Sequence, residues 1–155
     1  MSDEQTLSTA LATIRRILEE GVFIFTDHLE KDERPDADQW RARGVALDFA
    51  GPCTGALRMW AGEEFLRFAA ANMLGVDEDS ADAQEKGMDA LKEILNMIVG
   101  NFLTALYGDK PVFDLGLPRE IDAAALPADC ADAGAIWLGA EGNPVLLVVE
   151  VGPRP

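Results

Sequence analysis

Histidine and serine are almost missing from this 155-residue chain, which holds one histidine, His28, and three serines, Ser2, Ser8 and Ser80. A Ser-His-Asp triad would need that imidazole beside one of those hydroxyls, two of which stand near the chain start, so hydrolysis by that route is excluded. Cysteine is scarce too. Cys53 and Cys130 lie far apart with no C-x-x-C or histidine spacing, which excludes a disulfide framework or zinc site and suits core thiols in a reducing compartment. No run of about 18 apolar residues exists to cross a membrane. The opening MSDEQTLSTA lacks the positive charge and apolar run of a signal peptide, so the cytoplasm is the expected compartment. Positive charge is also short: 13 Lys and Arg against 28 Asp and Glu give a net charge of −15. Such a field repels phosphate backbones and anionic lipid headgroups, which excludes nucleic acid and membrane as partners.

What is present is a foldable core. Hydrophobic residues make up 48% of the chain, with three Trp and seven Phe, too rich for a disordered acidic polymer. The length fits one domain over residues 1–155. Leu7 to Leu29 has the three- and four-residue apolar steps of an amphipathic helix, with Gly21 a weak point. A charged loop over residues 31–39 follows, then a hairpin of Val45 to Ala50 and Ala56 to Ala61 across GPCTG. A helix over Glu63 to Leu74 stops at Gly75, and VDEDSADAQ is an acidic connection. A long helix over Ala83 to Tyr107 closes at Gly108 and Pro111. Strands are expected at Val112 to Leu117, Ala135 to Gly139 and Pro144 to Val151, the last apolar enough for burial on both faces. The order gives an α+β fold, a largely antiparallel sheet with long helices packed on it. A helix-then-strands repeat shows in outline, although the residues of the two halves do not align.

Acidic runs at 32–38 and 77–82 lack the glycine and terminal glutamate of a calcium loop, so solvated loops are expected and no metal site in this chain. Trp40, Trp60 and Trp137 are assigned to packing, and His28 to the surface or a helix end.

The long helix has two faces. At about 100° per residue, Leu91, Ile94, Leu95, Ile98, Phe102 and Ala105 form a core stripe. Asp89, Glu93, Asn96 and Gly100 gather opposite, with Met97 and Leu103 at the flanks. Such a face is either plain solvated surface or, given the cost of Gly100 in a helix interior, a place where another molecule approaches closely.

The run Asp89-Ala-Leu-Lys-Glu93-Ile-Leu-Asn96-Met-Ile-Val-Gly100-Asn101 closely resembles the active-site helix of the CheC/CheX/FliY chemotaxis phosphatases, the CheX type in particular. Asp89, Glu93 and Asn96 match that pattern without gaps, and Pro118 falls one residue short of the usual proline spacing. CheC carries the pair on two helices. Here Glu19 and Glu20 are followed three positions on by Val22 and Phe23, so a single active-site helix is expected.

The resemblance implies a CheC-like fold and a phosphatase that hydrolyses the aspartyl phosphate of a CheY-like response regulator. It implies that Asn96 holds the attacking water, that Glu93 pairs with the regulator's lysine, and that Asp89, Met97 and Gly100 contact the partner. No cofactor is expected in this chain, and Mg²⁺ would belong to the regulator. Positioning and electrostatics carry most of a loose phosphoryl transfer, so the missing nucleophile is no obstacle. Two alternatives stand beside this: an adaptor or flagellar-switch module that binds a regulator without hydrolysis, and a structural homo-oligomer. The resemblance to CheX also implies a homodimer joined through sheet edges, which would protect exposed strands and is compatible with catalysis.

Overall fold

A computed structural model describes residues 3–36, 38–122 and 134–152 of the chain. Helix α1 (Asp3–Arg16) buries Ala10 and Ile14 and widens into a π-helical turn over Ile17–Gly21. There the helix expected to reach Leu29 stops. From Val22 the apolar period changes to two: Val22, Ile24 and Thr26 are buried, while Phe23 and Phe25 are 71% and 75% exposed. Alternating β-branched and aromatic residues suit extended chain, and Thr26–His28 forms strand β1. Phe23 turns the corner at a φ of 62°, uncommon for a residue with a side chain. The Asn72 amide spans that corner, donating to the Val22 carbonyl at 3.0 Å and the Phe23 carbonyl at 3.3 Å. An anchor some fifty residues away leaves no local signal.

Strands β2 (Ala42–Ala50) and β3 (Thr54–Gly62) form the expected hairpin, each longer than read from the sequence. Helix α2 (Glu63–Leu74) ends on Gly75 at a φ of 70°, as its position foretold. The acidic connection is partly helical, because the Ser80 hydroxyl accepts from the Ala83 amide and caps α3 (Ala81–Glu85). The long helix α4 (Gly87–Tyr107) therefore starts four residues later than expected. At the break, a Cβ on Gly87 would meet the Leu66 Cβ at 2.9 Å, so a bare backbone lets α4 approach α2. Of the strand expected at Val112 to Leu117 only β4 (Asp114–Leu115) forms, and an unforeseen β5 (Arg119–Ile121) follows. Strands β6 (Ala135–Ala140) and β7 (Asn143–Val151) make a second hairpin, with Glu141 and Gly142 both at positive φ.

Among the described residues seven strands pair antiparallel in the order β1-β6-β7-β3-β2-β4, with β5 sharing the β4 side of β2. The helices cover one face, where Val45, Leu47, Leu57, Met59, Leu138, Val145, Leu147 and the inner sides of α1, α2 and α4 make the main core. Leu146 and Val148 of β7 join Trp60 and Trp137 in a second cluster on the opposite face, so the apolar run of β7 is buried on both sides as expected. Trp40 packs on Trp137 with ring centroids 5.2 Å apart. Cys53 is buried and its thiol donates to the Tyr107 hydroxyl at 3.2 Å; Cys130 lies outside the described residues. His28 is exposed on β1, 3.6 Å from Glu30. Among the described residues no helix is long and apolar enough to cross a membrane.

Candidate functional site

Helix α4 is held by its inner stripe. Leu91, Ile94, Leu95, Ile98 and Phe102 are all fully buried, as their spacing required. Two positions differ from expectation. Leu103, placed at the outer flank, is buried, because α1 and α2 pack beside α4 and widen the covered arc beyond the sheet contact. Ala105 is exposed in the last turn.

The outer face presents Asp89, Glu93 and Asn96, all exposed. Residues three apart on a helix stand about 5–6 Å apart at Cβ, so one partner group can meet both the Glu93 carboxylate and the Asn96 amide. Neither side chain hydrogen-bonds or ion-pairs with another described residue. Around them lies a groove of about 440 Å³, lined by Asp89, Lys92, Glu93 and Asn96 of α4 and by Leu115, Gly116, Leu117 and Pro118 across from it. Pro118, matched only through the family pattern, thus faces the acid and amide. Met97 and Gly100, expected to contact a partner, do not line this groove. Met97 is half-buried against the core, and a Cβ on Gly100 would meet nothing within 4 Å.

Sequence reasoning missed the far wall. Between the pairs Phe49↔Leu115 and Ala46↔Arg119, strand β2 spends two residues, Leu47 and Asp48, where the other side spends three, Gly116, Leu117 and Pro118. That is a β-bulge, which bends the strand and re-aims a side chain. The Gly116 amide still donates to the Asp48 carbonyl at 2.8 Å, whereas Pro118 has no N–H to give. The Gly-x-Pro spelling was the available signal. Lys92 was missed as well; its ammonium is 3.9 Å from Glu120 of β5.

The lining holds no hydroxyl, thiol or imidazole. What it offers is an amide that both donates to and accepts from water, and a carboxylate able to anchor a cation. Among the described residues no group of three His, Cys, Asp or Glu is arranged to hold a metal. The acid on the π-helical turn after α1 is occupied by contrast. Glu19 accepts from the Thr26 hydroxyl at 2.6 Å and the Thr26 amide at 3.2 Å, which, with the hydroxyl bond foremost, hold its carboxyl below the usual value.

An antiparallel sheet carrying long helices on one face, one of which turns an acid and an amide into a groove, defines a CheC-like α+β protein. A family model for the chemotaxis phosphatase CheX matches residues 43–138, more than half of the chain, and the protein belongs to that family. Its fold is similar to CheX from Vibrio vulnificus (TM-score 0.70, 16% identity, 97% of this chain and 99% of that one). CheX from Desulfovibrio desulfuricans is similar as well (0.67, 15%, 95% and 99%). A chain of the CheX-CheY-BeF3-Mg+2 complex from Borrelia burgdorferi matches with TM-score 0.65 and 19% identity over 95% of this chain and 97% of that one. No curated protein matches by sequence.

Proposed function

We propose that this protein accelerates hydrolysis of the aspartyl phosphate of a CheY-like response regulator, acting in the cytoplasm. The outer face of α4 docks over the phosphorylated site. Asn96 holds a water in line with phosphorus, accepting a hydrogen bond from it and donating one to it or to a phosphoryl oxygen, while Glu93 pairs with the regulator's lysine. The observation carrying this is that both groups are exposed, in one groove, with no partner among the described residues. A free amide and a free carboxylate gain most from groups a partner brings, and a loose phosphoryl transfer needs positioning more than a nucleophile. Mg²⁺ is assigned to the regulator, since the groove contributes only Asp89 and Glu93 as acids.

We also propose a homodimer across β1. That strand ends the sheet opposite β4 and β5, beside exposed Phe23 and Phe25, so pairing there covers an open edge and leaves the groove free.

Following phosphate release from an acetyl-phosphate-charged CheY-like regulator tests the activity. Decay faster with the protein than without it is expected; tight binding with unchanged decay would instead establish a non-catalytic adaptor.

A further inference from the structure

The bulge at Gly116–Pro118 has a structural cost and no evident benefit to the fold. It interrupts the ladder on β2 and lifts Leu117 until 87% of that residue is exposed. A leucine so exposed is unremarkable when isolated on a surface. Leu117 lines the same groove as Glu93 and Asn96, between Gly116, whose amide is tied to Asp48, and Pro118, whose ring fixes its own φ. The side chain is thereby held at the rim by a short, constrained segment.

Charge leaves this wall little else to offer. Lys92 is 3.9 Å from Glu120, Lys86 is 4.0 Å from Asp89, and Arg119 donates to Asp48 at 3.0 Å, so these cations around the groove already have partners. The chain's net charge of −15 gives no general attraction for an acidic phosphorylation pocket. Affinity then calls for an apolar contact next to the polar pair, in the way interfaces concentrate binding in a few desolvated anchors.

We infer that Leu117 is a docking anchor, buried against an apolar patch beside the regulator's phosphorylation pocket, which sets affinity for the partner and takes no part in the chemistry. This rests on the docking proposed above. A regulator seated over Asn96 meets the rim and the helix together, and the bulge sets how far Leu117 reaches toward it.

The test uses full-length protein with an acetyl-phosphate-charged CheY-like regulator for rates and its beryllofluoride form for binding. Leu117→Ala is expected to raise KM and Kd about tenfold with kcat changed less than about twofold, and Leu117→Asp to weaken binding further. Val112→Ala, at an exposed position of the same segment outside the groove lining, should change neither constant. Unchanged KM and Kd in Leu117→Ala, or a fall in kcat alone, would overturn the inference while leaving the phosphatase reading intact. Should the wild type bind without hydrolysing and Leu117→Ala lose that binding, the anchor stands and the catalytic reading falls. If the wild type neither binds nor hydrolyses, both fall.

Discussion

Two halves of the molecule repeat one plan. A long helix, a short edge strand and a hairpin run in order as α1, β1, β2–β3 and again as α4, β4 with β5, β6–β7. Hairpin strands β3 and β7 pair at the centre, and each edge strand crosses to the other half's hairpin, β1 onto β6 and β4 with β5 onto β2. Glu19 on the π-helical turn after α1 and Glu93 on α4 invite comparison. On the π-helical turn that continues α1, Glu19 is held by Thr26 of β1, whose hydroxyl also accepts from Arg15 Nε at 3.2 Å, so this acid ties the turn to the strand. Glu93 on α4 faces a bulged strand across a groove and keeps its carboxylate unspent. An acid matters to a partner only where its own chain has left it unsatisfied, and in this fold the edge strand decides that.

Substitutions can break the comparison. Asn96→Ala should lower the dephosphorylation rate by about 10² or more with the melting temperature unchanged, because the side chain is exposed and its value lies in the transition state. Glu93→Ala should reduce the rate by about 10², again without a change in melting. Placing an amide three residues after Glu19 with Val22→Asn should create no second site. Val22 is fully buried, so the change should instead destabilise the fold by about 1–3 kcal/mol, read by urea denaturation.

Glu19→Gln should leave the rate untouched. Because the folded carboxyl is held below its ordinary value, its contribution is present above the unfolded pKa and lost as pH falls through the lowered one. The variant should therefore melt lower than the parent at neutral pH and lose less on acidification. The smallest effect is expected from Gly100→Ala, which should stabilise α4 by about 0.5–1 kcal/mol, since a Cβ there meets no described residue within 4 Å beyond its own helix turn.

Much of this was legible in the residues. The period of α4, the stop at Gly75 and the hairpin across GPCTG follow from local chemistry, and Asp89, Glu93 and Asn96 stand outward as their spacing required. What escaped depends on distant contacts. The corner at Val22 and Phe23 is held by Asn72, the break before α4 reflects a close approach to Leu66, and Leu103 is covered by neighbouring helices. The far wall was hidden for another reason. A bulge is a mismatch between two strands, and while the Gly-x-Pro spelling marks an irregular strand, it does not reveal the register of β2 against it.

The most direct measurement is a structure of this protein with a beryllofluoride-activated CheY-like regulator. The Asn96 amide is expected within about 3 Å of a water in line with beryllium, and the Glu93 carboxylate on the regulator's lysine. A regulator seated elsewhere, with the outer face of α4 left open to solvent, would contradict this expectation.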